Sequence, residues 1–282
     1  MLLLLACTAP PDDTPDDTPA EDTDTTPTTR TVIAVSSYFA GVIHLYDVDG
    51  QPLDTLDGLD GAQTLTLSPG GELVACAEGL NELHRFDART FAPLGVLADT
   101  GFDGPTAATF GPDGQLYVAS FNDDRVARLA ADGSYIDDAV SAGLGGLDGP
   151  DIGMAFGPDG ALYVPSWYDG GVYAYTDGAP STVVSPGTWS GPRGLAWDGP
   201  DLLVAMNGDG VILRVGAEVT TALEARRPDG IAWLGDRLLV ASGATNKVTA
   251  WNVATGTNEG VFIDDPAIDG ATAVAVLELP TP

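Results

Sequence analysis

Short apolar runs alternate with glycine-containing turns along the chain from Thr31 onward. The clearest examples are residues 110–120 and 156–166, where a Gly-Pro-Asp-Gly turn is followed by an apolar run that ends at Ser120 or Ser166. Asp-Gly between two apolar runs is a strong hairpin signal. The pattern therefore predicts an all-β protein built from many short antiparallel strands.

The same unit recurs along the chain. Weaker copies align on Leu67, Trp197 and Trp233, and successive copies are about 36 to 46 residues apart, the period of a four-stranded propeller blade. Five full copies begin near Leu65, Thr106, Asp151, Arg193 and Asp229.

A sixth copy is divided between the two ends of the chain. Residues 271–277 supply an innermost strand, and residues 32–37, 42–47 and 52–56 supply three outer strands. Joining them removes the open edges that invite aggregation. We therefore predict a six-bladed β-propeller over residues 31–282, in which N- and C-terminal strands close one shared blade.

Composition agrees with this fold and limits the partners. The chain has 36 glycines and 21 prolines, which disfavours a helical bundle. Its formal charge is −30, of which about −24 falls on residues 31–282. Such a charge repels nucleic acid, which we exclude as a partner, and attracts cations, although solubility alone also explains it.

The N-terminus resembles that of bacterial lipoproteins. The apolar residues 1–6 end in Leu4-Leu5-Ala6-Cys7, which resembles a lipobox and implies a signal peptide and a lipidated Cys7. There is no positive n-region, so either the true start lies upstream or the match is chance. Residues 8–30, rich in Thr, Pro, Asp and Glu, predict a disordered acidic tether. The resemblance implies a cell-envelope protein that contacts the membrane through its anchor only, and Thr8 favours the outer membrane or cell surface.

In such a propeller two rings of residues converge on one mouth of the central channel. The inner ring, just before or at the start of each innermost strand, is Gln63, Thr106, Asp151, Arg193, Asp229 and Thr272. The second ring, just after each second strand, is Tyr38, Glu78, Phe121, Trp167, Asn207 and Gly243. All except Gly243 are candidate binding residues.

Both rings have a structural and a functional interpretation. Arg193 is expected between Asp151 and Asp229, either as an ion-pair triad that closes the channel or as part of a polar or metal site. In the second case Asp151 and Asp229 would hold a divalent cation such as Ca²⁺. Tyr38, Phe121 and Trp167, with Glu78 among them, either bind a small molecule, glycan or protein or pack under loops.

The motifs resemble three groups of six-bladed propellers. Residues 228–233, 191–197 and 122–126 are similar to those of NHL-repeat, streptogramin-lyase-like and gluconolactonase-like proteins. The resemblance implies the fold far more specifically than the function. The metal-binding Glu, Asn and Asp of gluconolactonase-like enzymes are not reproduced: Gln63, Thr106 or Thr272 takes the Glu position, Asp229 replaces the Asn, and no Asp follows a second strand.

The remaining reactive side chains indicate packing. His44 and His84 fall in third strands, away from the channel and from the position of the lyase-type catalytic histidine, and Cys76 lies in an apolar strand. Trp197 and Trp233 share a core position with Phe110 and Phe156. No Ser-His-Asp set is present, so nucleophilic catalysis has no support.

Two functions follow. The first is an envelope-displayed binding module, and the alternative is a metal-dependent hydrolase or lyase of a lactone or sugar derivative, with Asp151 and Asp229 in the active site.

Overall fold

The computed structural model describes residues 28–282. Cys7 and most of the predicted tether lie outside this part of the chain. Within it, 24 strands form six four-stranded antiparallel sheets arranged in a ring, which confirms the six-bladed propeller. No helix among residues 28–282 has the length and apolar character needed to cross a membrane.

The strands run outward from the channel in chain order within five of the six blades. The first blade contains β1 (Thr29–Ser37), β2 (Val42–Tyr46), β3 (Pro52–Leu56) and β24 (Ala271–Pro280). The second contains β4 (Ala62–Leu67), β5 (Glu72–Ala77), β6 (Glu82–Asp87) and β7 (Pro93–Ala98). The third contains β8 (Pro105–Phe110), β9 (Leu116–Ser120), β10 (Arg125–Leu129) and β11 (Tyr135–Val140).

The last three blades follow the same order. The fourth contains β12 (Ala155–Phe156), β13 (Leu162–Ser166), β14 (Gly171–Thr176) and β15 (Ala179–Val184). The fifth contains β16 (Pro192–Asp198), β17 (Asp201–Met206), β18 (Val211–Val215) and β19 (Val219–Glu224). The sixth contains β20 (Ile231–Leu234), β21 (Arg237–Ser242), β22 (Lys247–Asn252) and β23 (Thr257–Ile263). Three short 3₁₀ turns cover Glu78–Leu80, Phe121–Asp123 and Leu144–Gly146.

The first blade is closed by the two ends of the described chain. Strand β24 is its innermost strand and pairs antiparallel with β1, from Thr29 opposite Pro280 to Ser37 opposite Ala271. This confirms the predicted shared blade. Strand β1 begins at Thr29, so the propeller starts two residues before the boundary expected at Thr31.

The core lies between neighbouring blades, which explains the continuous apolar runs of the second strands. In β5, Leu73 and Ala75 pack toward the first blade, whereas Val74 and Cys76 pack toward the third. Both faces of such a strand are buried, so its sequence does not alternate between apolar and polar residues. Burial raises the pKa of the Cys76 thiol to about 12, consistent with a small apolar core residue.

The innermost strands are irregular where they reach the mouth. Their pairing with the second strand slips between Ala62 and Leu65, between Pro105 and Ala107, and between Pro192 and Leu195. Strands β12 and β20 begin only at Ala155 and Ile231, later than the copies predicted to start at Asp151 and Asp229. Because a bulge re-aims the side chains within it, these irregularities direct the inner-ring residues into the channel.

Candidate functional site

A cavity of about 250 Å³ opens at the mouth of the channel, and we call it the mouth pocket. The first five blades contribute its walls, and the sixth contributes none. The lining residues are Tyr38, Phe39, Gln63, Glu78, Thr106, Phe121, Asp151, Trp167, Arg193 and Thr272. Nine of these ten residues belong to the two predicted rings, so the structure brings most of the predicted site together.

Glycine turns hold the second ring in place. The backbone N–H groups of Glu78, Phe121 and Trp167 donate to the carbonyl oxygens of Gly61, Gly104 and Gly149 at 2.9 to 3.1 Å. Tyr38 and Asn207 make the same bond to Gly270 and Gly191. All five glycines have φ between 62° and 76°, the left-handed region that favours glycine. In the first five blades, the turn before the innermost strand thus positions the second-ring residue of the same blade.

Arg193 lies between two carboxylates, as its spacing predicted. Its Nη1 donates to Oδ1 of Asp229 at 2.8 Å, and its Nη2 donates to Oδ1 of Asp151 at 3.1 Å. Its Nε lies 2.9 Å from Oδ2 of Asp151, within ion-pair distance but without hydrogen-bond geometry. The Arg193 side chain is only 13% exposed. Burial opposes its charge, yet Asp151 and Asp229 outweigh that effect and raise its pKa above the ordinary arginine value.

Asp229 lies behind the pocket lining, where it holds Arg193 and Asn207 in place through hydrogen bonds. It accepts hydrogen bonds from Nδ2 of Asn207 at 2.8 Å and from the Gly243 backbone N–H at 2.7 Å. Arg227 in turn donates to Oδ1 of Asn207 at 3.2 Å. Burial raises the pKa of Asp229, although its bonds to Arg193 and Gly243 act in the opposite direction. Asp229 and Asn207 were predicted to face the channel mouth, but neither lines the pocket. Their polar atoms are used within this network.

Glu78 is the pocket carboxylate without a cationic partner. Its Oε2 accepts a bond from Nε2 of Gln63 at 2.6 Å, and no Lys, Arg or His among residues 28–282 forms an ion pair with it. Burial raises its pKa, the Gln63 bond lowers it, and Asp151 raises it further. Burial and Glu78 in turn raise the pKa of Tyr38. Perturbed groups of this kind concentrate at functional sites.

Aromatic side chains form the rim. Trp167 lies against the guanidinium of Arg193, whose Cζ is 5.4 Å from the ring centroid. Phe39 contacts Tyr38 edge-to-face and is 74% exposed, and Tyr168 packs against Phe121 and is 64% exposed. The sequence interpretation missed Phe39 and Tyr168. Each directly follows a second-ring residue, which is the signal that could have identified them.

In the described residues an arginine occupies the position between the two predicted metal ligands. Among residues 28–282, no three His, Cys, Asp or Glu side chains are grouped so that they could hold a metal ion. Asp151 and Asp229, the predicted ligands, both bind Arg193. A cation at this position would have to displace the guanidinium.

Histidines and the two core tryptophans lie where the sequence placed them. His44 is in β2 and His84 is in β6, both third strands, and His84 lies 2.7 Å from Oε2 of Glu82. Trp197 packs edge-to-face against Tyr163 of the preceding blade, and its carbonyl accepts a bond from Nε1 of Trp233. None of the four side chains reaches the mouth pocket.

Solved structures share this fold. A chain of a nidogen/laminin complex superposes with a TM-score of 0.76 at 14% identity, covering 87% of this chain and 98% of that one. A catalytically inactive histidine-to-alanine variant of virginiamycin B lyase from Staphylococcus aureus, with quinupristin, gives 0.64 at 20% identity, covering 90% and 93%. A protein of unknown function from Bacteroides caccae gives 0.67 at 14%, covering 88% and 99%.

These similarities extend to the propeller and no further. No protein-family model matches the sequence, and no curated protein matches it. At such low identities the shared structure establishes the fold alone. Function has to be argued from the mouth pocket.

Proposed function

We propose that the protein is a binding module that captures a small organic ligand in the mouth pocket. The observation that carries this proposal is the pairing of an aromatic rim with a carboxylate, Glu78, that forms no ion pair with any residue in the described part of the chain. Ligand sites typically combine apolar walls with a few convergent polar groups. If these residues served only to close the channel, we would expect fewer polar groups without a partner at the mouth.

The metal-dependent hydrolase or lyase is the less favoured alternative. It requires Asp151 and Asp229 to face a metal or a substrate, whereas both are engaged by Arg193. The virginiamycin B lyase variant named above is inactive with one histidine replaced by alanine, and the mouth pocket has no histidine. Binding is therefore the function that the pocket supports best.

A ligand screen on matched variants tests the proposal. Amines, sugars, carboxylates and neutral compounds are added in groups, and tryptophan emission and thermal unfolding report binding. A ligand at about 100 times its Kd stabilises the folded state by about 2.7 kcal/mol. Phe121→Ala should remove the response. Tyr135→Ala, which truncates an exposed aromatic on the outer strand of the same blade, should keep it. A response that survives Phe121→Ala would contradict binding at the mouth.

We also propose that Cys7 anchors the protein in the cell envelope. With a complete bacterial signal sequence, the wild-type chain should fractionate with membranes, whereas Cys7→Ser should be soluble. Lipidation of a single cysteine adds about 0.8 kcal/mol per buried CH₂ group to membrane binding. Equal fractionation of the two proteins would contradict the anchor.

A further inference from the structure

We propose that the ligand of the mouth pocket is a small organic cation, either a primary amine or a methylated ammonium compound. This inference rests on the proposed binding function and specifies its chemistry. Three independent features of the pocket support it: its charge, its aromatic rim and an unsatisfied acceptor.

The charges around the pocket sum to a negative value. Arg193 compensates only one of its two partners, so the Asp151, Arg193 and Asp229 group retains one formal negative charge when ionised. Glu78 adds a second negative charge and has no ion-pair partner among residues 28–282. The propeller as a whole is strongly acidic. A cation is therefore the ligand that complements this field, and an anion would be repelled.

The rim offers π-faces beside that charge. Tyr38, Phe39 and Phe121 line the pocket together with Trp167. The Arg193 guanidinium already lies 5.4 Å from the Trp167 centroid, so one ring of the rim is used by a cation of the protein itself. The other three rings are available to a ligand. Aromatic rings around a carboxylate are a recurrent way to bind ammonium groups.

Gln63 supplies the third feature. Gln63 is only 4% exposed. Its Nε2 donates to Glu78, so the amide oxygen Oε1 points away from that hydrogen bond. Oε1 is buried and accepts no hydrogen bond from any residue between 28 and 282. An unpaired buried acceptor is costly, and it is satisfied when a donor arrives. Because Oε1 has almost no accessible surface, an amine in the mouth pocket can donate to it only after the Gln63 side chain shifts.

The test compares two probes that differ in charge alone. Choline is a quaternary ammonium compound, and 3,3-dimethylbutan-1-ol is its uncharged analogue of the same shape. Isothermal titration of the full chain should show choline binding at least about tenfold more tightly, which corresponds to about 1.4 kcal/mol. Part of this preference should disappear at high salt, because ions screen exposed charges.

Variants of Glu78 assign the preference to the pocket. Glu78→Gln should lose most of the preference for choline over the neutral analogue, whereas Glu78→Asp should keep that preference. Glu218→Gln removes the same charge from an exposed turn after β18, at the opposite face, and should behave as wild type. Thermal unfolding of each variant confirms that it is folded.

The outcomes separate this inference from the function on which it rests. Equal affinity of wild type for the two probes, or a choline preference that Glu78→Gln leaves undiminished, overturns the cation inference and leaves the binding module standing. If choline does not bind, but a sugar or a carboxylate binds and its binding requires Phe121, the cation inference is likewise overturned and the binding module stands. Absence of binding by every class overturns both.

Discussion

A buried group of charges and a half-buried carboxylate meet at the mouth, and they have different energetic consequences. Asp151, Arg193 and Asp229 satisfy one another through direct bonds, so that group is stable only as a unit. Glu78 is different, since its partner Gln63 is neutral and its ionisation is opposed by burial. The first arrangement closes the floor of the pocket, and the second leaves an open anchor for a ligand.

Arg193→Met should destabilise the protein strongly. The substitution keeps most of the volume but leaves two buried carboxylates without a counter-charge, which costs about 3 to 5 kcal/mol. Urea unfolding measures the loss. Arg214→Met is the matched control, because Arg214 also lies between two aspartates, Asp198 and Asp201, but in a more exposed position. It should cost no more than about 1 kcal/mol. Equal costs would contradict a buried triad.

Glu78→Gln should raise stability at neutral pH. The pKa of Glu78 is raised in the folded protein, so the folded state favours the protonated form. Its contribution to stability is complete below the unfolded pKa, about 4.3, and is lost as the pH rises through the raised value. The charged and titratable groups that face it are Tyr38, Asp151 and Arg193.

A neutral glutamine avoids that loss and can still accept the bond from Gln63. The melting temperature of Glu78→Gln should therefore exceed that of wild type at pH 7, and the difference should shrink toward pH 4. A wild type that is more stable at pH 7 would show that the attraction of Arg193 for the Glu78 carboxylate outweighs the effect of burial. A stabilising substitution that abolishes binding is typical of functional residues.

At the scale of elements, the sequence predicted positions better than it predicted geometry. The slots before the innermost strands and after the second strands were found from the turns, because Gly-Pro and Asp-Gly signals mark strand ends. The slipped pairing around Gln63 and Arg193 was not found. Bulges at these points depend on how closely neighbouring blades approach, and that is a tertiary property without a local signal.

The close approach of neighbouring blades is clearest at three glycines in successive blades, Gly153, Gly194 and Gly230. A methyl group on Gly153 would lie 2.0 Å from the carbonyl oxygen of Arg193, and one on Gly194 would lie 2.6 Å from that of Asp229. The Gly194 N–H donates to the same Asp229 oxygen at 3.0 Å. The fourth, fifth and sixth blades thus touch backbone to backbone, which brings the charges of the triad together.

Gly153→Ala should destabilise the propeller by about 1 to 3 kcal/mol through overpacking and should weaken ligand binding, because Arg193 must shift. Gly70→Ala is the control: its nearest neighbour would be a serine hydroxyl oxygen at 3.7 Å, and its φ is not left-handed. Chemical unfolding and titration with the same ligand measure both effects. Similar costs for the two substitutions would contradict the close approach of the blades.

At the scale of the whole molecule, the repeat allowed the blade count and the shared blade to be predicted. Residues 271–277 could supply only one strand and the N-terminal region only three, so a single closed blade was the arrangement that left no edge. The ligand could not be predicted from the sequence, because the positions of Phe39 and of the neighbours of Glu78 depend on how five blades pack together. Repeats specify a scaffold, whereas a pocket depends on the few positions where the repeats differ.

Deletion of residues 271–282 should abolish cooperative folding. It removes β24, exposes the edge of β1, and takes buried residues such as Ala271 and Val274 out of the core of the first and sixth blades. We expect aggregation in size-exclusion chromatography and loss of a sharp thermal transition. Deletion of residues 1–27 is the control, since it leaves all 24 described strands in place and should preserve the melting temperature. A synthetic peptide of residues 271–282 should restore the transition of the shortened chain, because the missing strand can pair with β1 from a separate molecule. A cooperative, monomeric product without that peptide would show that five blades and a three-stranded sheet suffice, and that closure of the ring contributes little to its stability.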